Sequence, residues 1–477
     1  MEISLVKENR RVETNTLSFR EKVGYGFGDA AASMFWKLFS MYLLFFYTDV
    51  FGLPAAVVGT MFLVTRIWDA ANDAIMGMIA DRTTSRWGKF RPYILFLAVP
   101  FAIFGVLTFS TPNLDLQGKI IYAYITYSLM MMVYTGINVP YASLLGVMTS
   151  DPGERTSLAT YRMLFGFGGS VLVLGAVEPL VGLFEGAFQG EQSTQRAWQA
   201  AAGVFALLSI LFFMFNFSWS RERIRPKREK SLLRNDLRDL VGNKPWFILL
   251  GAGISTLIFN SIRDGSVIYY FKYFIADQEA LESGLLRVTF TYSTLYLVVG
   301  QTANIIGVLL ARPVSDRLGK KRTFFYAMLT AAGLSFLFYL LSMEQIALIF
   351  VLQFFISICA GIIFPLLWSM FADIADFSEW KTGRRATGLI FSSSSMSQKM
   401  GWTLGGALTG WLLAIFGFEA NAVQSAESLN GIRMMMSIFP AIGALLSAVL
   451  IYRYKLSDAF MQRVIKELAG KRASAEE

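Results

Sequence analysis

Asp69 and Asp73 stand four residues apart in Arg66-Ile67-Trp68-Asp69-Ala70-Ala71-Asn72-Asp73, inside an apolar run from about Pro54 to Ala80. In a helix that spacing stacks the two carboxylates one turn apart on one face, and Asn72, three residues from Asp69, joins them. The result is a patch of oxygen ligands, two of them anionic. At mid-membrane a charge costs about 2.5–3.5 kcal/mol even on insertion scales, and two unpartnered acids also repel each other. The patch must therefore face the protein interior and hold a cation or a proton. Hard oxygen ligands suit a small hard cation such as Na⁺; protonation is the other route to neutrality. A fixed ion pair with Arg66 is the competing structural reading.

The elements that position these acids follow from composition. With 477 residues, 55% hydrophobic and 16% charged, the chain is too apolar for a soluble domain. Twelve apolar runs fall at roughly 24–49, 55–80, 92–111, 119–148, 158–184, 197–219, 245–276, 285–314, 322–342, 344–374, 386–416 and 430–454. Each is long enough to cross a hydrocarbon core that about 20 helical residues span. An all-α membrane protein with twelve transmembrane helices is expected. The polar start, Met1 to Glu21, has no short apolar segment with a small-residue cleavage site, so the first helix is expected to direct insertion.

The formal charge of +9 is distributed as topology. Lys and Arg gather before Glu21, at 82–91, 221–244, 312–322 and 381–385, and after Arg453, whereas 49–55, 111–117, 277–282, 342–345 and 416–430 are nearly free of them. By the positive-inside rule both termini are cytoplasmic. The basic excess is not a nucleic-acid footprint. The single cysteine, Cys359, lies in an apolar run and reads as a core residue. With no histidine, any proton coupling must run on carboxylates.

In order along the chain, Gly24-Tyr25-Gly26-Phe27-Gly28-Asp29 permits close helix contact and then places an acid in the membrane, a candidate partner for polar substrate groups. Lys37, two turns on, is its alternative partner. Asp81-Arg82 followed by Arg86-Trp87-Gly88-Lys89, and Asp316-Arg317-Leu318-Gly319-Lys320, repeat one pattern at equivalent places in two six-helix halves. Both loops resemble the signature loop of the major facilitator superfamily. The basic stretch 221–244 reads as a cytoplasmic linker between an N-terminal bundle (1–220) and a C-terminal bundle (245–454), and the tail 455–477, alternating apolar and basic residues, as lying along the membrane surface. Arg263-Asp264 reads as a mutually neutralising pair.

Further stretches carry a more specific likeness: Phe46-Tyr47-Thr48-Asp49-Val50-Phe51-Gly52-Leu53, the Asp69/Asp73 helix, Arg86 to Pro92, Ile137-Asn138-Val139-Pro140-Tyr141, Ala372-Asp373-Ile374-Ala375-Asp376 and Gln398-Lys399-Met400-Gly401. Together, from about Ser18 to Tyr454, the chain resembles the glycoside-pentoside-hexuronide:cation symporters. The resemblance implies the major facilitator fold and a Na⁺ site formed by Asp69, Asn72, Asp73 and Thr135. It implies a sugar site with Asp29, Asn138, Tyr141, Arg162, Trp368 and Gln398. Lys399 matches a lysine close to the cation site, and Asp373 and Asp376 match acids with gating roles. Two positions depart from the family's galactoside carriers: Asn138 replaces a second sugar-gripping aspartate, and Ala142 replaces a tryptophan beneath the sugar ring. These changes weaken a galactoside expectation and admit an anionic sugar or a longer oligosaccharide.

The function expected is secondary active symport of a sugar, glycoside or uronide with Na⁺ or H⁺, by a monomer in the cell (inner) membrane, with surrounding lipid and no other cofactor. A lipid or lysolipid transporter of the same fold is the alternative. The polar candidates Asp29, Asn138, Arg162 and Gln398 favour a hydroxyl-rich substrate. An enzyme is not expected, since no histidine, nucleophile elbow or phosphate-binding loop is present.

Overall fold

A computed structural model describes residues 17–149, 151–223, 243–275, 279–283, 288–382 and 387–476. The basic residues before Leu17, within 224–242 and at 383–386 lie outside them. The helices are α1 (Phe19–Leu38, continued by π-helical turns Phe39–Leu43 and Phe46–Val50), α2 (Ala55–Arg82), α3 (Arg91–Thr108), α4 (Leu116–Met148), α5 (Pro152–Ala187) and α6 (Ser193–Trp219). After the connector come α7 (Lys244–Tyr269, continued by the π-helical turn Tyr270–Ile275), α8 (Tyr292–Leu318), α9 (Lys320–Phe338), α10 (Ile346–Thr382), α11 (Thr387–Ile415), α12 (Ala426–Met436), α13 (Ile438–Tyr452) and α14 (Asp458–Glu476). Among the described residues, eight helical segments are long and apolar enough to cross a membrane. The chain is a multi-pass membrane protein. In-helix charges dilute two of the other helices: Asp29 and Lys37 in α1, and Arg66, Asp69 and Asp73 in α2.

Side-chain oxygens set several helix starts by accepting N–H groups that lack an intrahelical partner. Ser18 and Glu21 form a reciprocal capping box at α1, and Asp151 accepts from the Glu154 N–H at 2.7 Å at α5. The two basic loops turn at Gly88 (φ 109°) and Gly319 (φ 84°), in the left-handed region that favours glycine. The helix after each turn is then capped by a carboxylate from beyond a later helix. Glu222, just past α6, accepts from the N–H groups of Lys89, Phe90 and Arg91 at 2.8, 2.8 and 3.0 Å, and Asp458, past α13, accepts from that of Lys320 at 3.0 Å. The repeat seen in the loops thus extends to the groups that close them.

One expected run is corrected, and the structure adds detail to another and to the tail. Within the run 285–314, residues 288–291 are strand rather than helix: β2 (Val288–Thr291) pairs antiparallel with β1 (Glu279–Ser283) ahead of α8. The β-branched Val288, Thr289 and Thr291 favour extended backbone, and Thr291 caps α8 by accepting from the Thr294 N–H at 3.2 Å. The run 430–454 is two helices, broken at Ser437 (φ −130°, ψ −78°), where the Arg263 guanidinium donates to the freed Met436 carbonyl at 2.6 Å. The tail helix α14 packs on the end of α10. Its alternating pattern yields an apolar stripe, Met461, Val464 and Leu468, which is buried there, and Trp380 Nε1 donates to Glu467 at 2.7 Å.

Helix α1 packs on α5 and α6, α3 on α4 and α6, and α2 on α4, while α7 packs on α11 and α13, α8 on α10, and α9 on α13 and α10. The first and second sets meet where α2 crosses α11 and α5 crosses α8. At the α2–α11 crossing Gly59 and Gly410 bring backbones together: a Cβ at Gly410 would lie 2.6 Å from the Ala55 carbonyl oxygen and 2.9 Å from Gly59 Cα. At the end opposite the basic loops, polar contacts pin the two sets. Asp49 pairs with Lys272 at 2.7 Å and accepts from the Tyr273 hydroxyl, and Asn421 Nδ2 donates to the Asp49 carbonyl at 2.6 Å. Glu178 of α5 accepts from Thr291 and, at 2.7 Å, from Ser293.

Candidate functional site

Between the two sets lies a cavity of about 590 Å³, lined by residues of α1, α2, α4 and α5 on one side and of α7, α8, α10 and α11 on the other. Asp69 and Asp73 come from α2 with the spacing expected, and Thr135 of α4 meets both: its hydroxyl lies 2.8 Å from Asp69 Oδ1 and 3.0 Å from Asp73 Oδ1. Asp69 is 2% exposed and Asn72 is buried beside it, with Nδ2 lacking an acceptor among the described residues. Arg66 pairs with Asp69 at 3.2 Å and lies over the Trp36 ring, so the competing ion pair exists, but for one acid only. From α11, Lys399 reaches between the carboxylates, pairing with Asp69 at 3.3 Å and with Asp73. Two acids thus hold a lysine amine from the other helix set, with the Thr135 hydroxyl bonded to both carboxylates and the Asn72 amide buried on the same helix. Oxygen groups so arranged fit a small hard cation in the place of that amine.

Asp29 and Arg162 are the two charged residues expected at the sugar site. They form an ion pair, with Arg162 Nε 3.0 Å from Asp29 Oδ1. A packing reason is visible in α1 against α5: Gly166 of α5 has no side chain to separate the helices, and a Cβ there would collide with Asp29 Oδ2. Both residues still line the cavity, as do Asn138, Gln398 and Lys399. Tyr141, expected to touch substrate, is 1% exposed; its ring stacks on Tyr25 at 4.8 Å, and its hydroxyl donates to the Tyr25 carbonyl. It lies beneath Arg162, whose guanidinium sits 5.2 Å from its ring centroid, and so positions that arginine. Trp368 is 38% exposed on α10, one turn beyond the cavity-lining Phe364 and outside the wall. Asp373 pairs with Lys320 at 2.7 Å near the basic-loop end of α10, and Asp376 follows it on the same helix.

Two pairings read from sequence do not form. Lys37 leaves Asp29 to Arg162 and pairs with Asp264 at 3.5 Å, across the two helix sets. Arg263 and Asp264 make no direct ion pair among the described residues, because adjacent residues on a helix point in different directions. Arg263 instead donates to Gln353 Oε1 at 2.6 Å and to the Tyr296 hydroxyl at 2.8 Å. Sequence reasoning also missed the polar wall of the second set, Asn260, Gln301, Asn304, Gln353 and Ser357. A signal was present: amides at i, i+3 on α8 and an amide and hydroxyl at i, i+4 on α10, inside apolar helices.

A family model described as "MFS/sugar transport protein" matches residues 24–458. The chain is 37% identical to the inner membrane symporter YicJ of Escherichia coli (strain K12), over 97% of each chain. It is 35% identical to the putative glycoside/cation symporter YagG of the same organism, over 96% of each, and 34% identical to the isoprimeverose transporter of Lactiplantibacillus pentosus, over 97% of this chain and 94% of that one. Among solved structures, the nucleoside transporter NupG superposes with a TM-score of 0.61 over 91% of this chain and 100% of that one, at 14% identity, a likeness of fold.

Proposed function

The chain belongs to the MFS/sugar transport protein family, a family of transporters rather than enzymes, and we propose that it is a symporter that couples uptake of a sugar or glycoside to Na⁺ by alternating access. The observation that carries this reading is Lys399 of α11 seated between Asp69 and Asp73 of α2. The amine neutralises the acids when no coupling cation is bound, and a cation must displace it to bind. Displacement frees a contact between the two helix sets at the wall of the cavity. Cation binding and rearrangement of the cavity are thereby linked through one side chain.

In this reading the helices form twelve spans in two six-helix bundles, 1–220 and 245–454, in the inner membrane, with the 221–244 linker, the 455–477 tail and both termini cytoplasmic. The charged and amide-bearing cavity wall suits sugar hydroxyls and gives no support to a lipid substrate. The protein works as a monomer, with the substrate cavity enclosed within one chain. With the end opposite the basic loops pinned shut, the described state faces the cytoplasm.

The test is uptake into proteoliposomes of labelled sugars and glycosides, isoprimeverose and a methyl glucuronide among them, with an inward Na⁺ gradient, an inward H⁺ gradient, or neither. Accumulation with the Na⁺ gradient is expected. Accumulation with H⁺ alone assigns the site to the proton. Linkage gives a companion expectation: Na⁺ raises sugar affinity, and sugar raises Na⁺ affinity by the same factor. Calorimetry in Na⁺ and in choline measures both; equal sugar binding in the two salts contradicts Na⁺ coupling.

The pinned end gives a third expected result. Asp49→Ala removes the acceptor of Lys272 and Tyr273, and each 1.4 kcal/mol lost there shifts the balance toward the outward-open state about tenfold. In a Cys359→Ser background carrying Ser33→Cys, labelling by an impermeant maleimide from the outer face is expected to rise by that order. Unchanged labelling means the closure lies elsewhere.

A further inference from the structure

We infer that Trp36 of α1 and Trp402 of α11 form an outer gate over the cation site, and that a small pocket beyond them is the closed part of the outward path; the inference rests on the alternating-access reading and names the residues that close one side of it. The two rings belong to different helix sets and meet edge to face, 6.2 Å apart and at 86°. Both line the central cavity, and both also line a second pocket of about 60 Å³. They are therefore the partition between the two. The second pocket lies on the outward side of Asp69 and Asp73. It takes in Phe62 and Arg66 on α2, before the acids; Tyr127 on α4, two turns before Thr135; and Thr403, Gly406 and Thr409 on α11, beyond Lys399. Each of these displacements runs toward the end where Asp49 meets Lys272.

Imperfect packing between apolar helices leaves an apolar void, and such voids stay dry. This pocket carries the hydroxyls of Ser40, Ser261, Thr403 and Thr409. Each donates to a backbone carbonyl, at 3.3, 3.0, 2.7 and 2.8 Å respectively, and keeps oxygen lone pairs that can accept from water. That is the lining of a hydrated passage, squeezed here to the size of a few waters. Beyond it the path is shut where α2 crosses α11 at Gly59 and Gly410. The gate is also tied to the site it covers. The Arg66 guanidinium lies 4.9 Å from the Trp36 ring centroid while it pairs with Asp69. Trp402 follows Lys399 by three residues on one face of α11. A movement of that helix that withdraws the amine from the two acids therefore also withdraws the ring from Trp36.

The test is the sidedness of thiol labelling in sealed inside-out and right-side-out membrane vesicles, with a small impermeant methanethiosulfonate and the full chain in a Cys359→Ser background. Ser33→Cys reports the central cavity and Ser40→Cys the pocket beyond the gate. From the cytoplasmic face Ser40→Cys is expected to react about two- to tenfold more slowly than Ser33→Cys, the factor that one aromatic pair holding the gate shut is worth. Trp36→Ala is expected to remove that difference, whereas Trp36→Phe, which keeps a ring in place, preserves it. Trp402→Ala tests the same partition from the other helix set, and serves where Trp36→Ala does not reach the membrane. From the outer face, Asp49→Ala is expected to raise both reporters by a common factor. Ser40→Cys reacting from the cytoplasmic face as fast as Ser33→Cys with both tryptophans present overturns the gate. So does Ser40→Cys that stays unreactive from both faces in every variant, or Asp49→Ala that raises Ser33→Cys alone. The labelling needs neither sugar nor Na⁺, so a protein that shows the expected pattern but accumulates no sugar faults the transport reading and leaves the gate standing.

Discussion

Asp73→Asn is expected to abolish concentrative uptake while leaving expression and folding intact. In the wild type two acids face two cations, Arg66 with Asp69 and Lys399 with both carboxylates. The asparagine leaves one acid against two cations, so an arriving Na⁺ meets net repulsion where it met balance. A unit charge about 4 Å away at an effective dielectric near 20 is worth about 4 kcal/mol, or roughly a thousandfold in cation affinity. Asp73 is the cleaner probe of the two acids. Asp69 is 2% exposed and holds Arg66, and breaking a buried pair from one side costs about 3–5 kcal/mol of stability. The measurement is the accumulation ratio in Na⁺-loaded gradients together with Na⁺ affinity; wild-type accumulation by Asp73→Asn refutes the cation assignment.

Asp29→Ala and Arg162→Ala are expected to reduce sugar affinity by about ten- to a hundredfold each, since charge-assisted hydrogen bonds are worth roughly 1.5–3 kcal/mol. Na⁺ binding should persist in both, because neither side chain touches Asp69, Asp73 or Thr135. The ion pair adds a refinement. Each single change strands its partner's charge, whereas the double variant removes both and should recover stability without recovering sugar affinity. Variants that lose Na⁺ binding but keep sugar affinity invert the division between the two sites.

The Asp69/Asn72/Asp73 face was legible because helical spacing alone places it, and because charges inside an apolar run demand a partner. What partners it was not legible in that way. Thr135 entered through resemblance, and Lys399 lies 326 residues from Asp73, so only the packing of α2 on α11 joins them. The same limit explains Asp29, where a carboxylate eight residues from Lys37 chose an arginine 133 residues away. Local charge statistics also misplaced Glu222 and Asp458. Both sit in stretches read as linker and tail, yet each satisfies the open N–H groups at the start of a helix. The break at Ser437 leaves no mark in hydropathy but does leave one in the sequence: Pro440 has no N–H for the Met436 carbonyl four residues earlier, and the Arg263 guanidinium from α7 satisfies that carbonyl instead.

The seat of Lys399 also has a consequence for voltage. Formal charges at the site, Asp69 and Asp73 against Arg66 and Lys399, sum to zero when no coupling ion is bound and to plus one when a single monovalent ion is added. In the proposed cycle the return of the empty carrier therefore moves no net charge through this site, and the loaded stroke moves one. A potential of 100 mV acts on one elementary charge with about 2.3 kcal/mol. A negative-inside membrane then drives the loaded stroke inward without holding back the return, and the tethered amine makes electrical rectification a property of a single side chain.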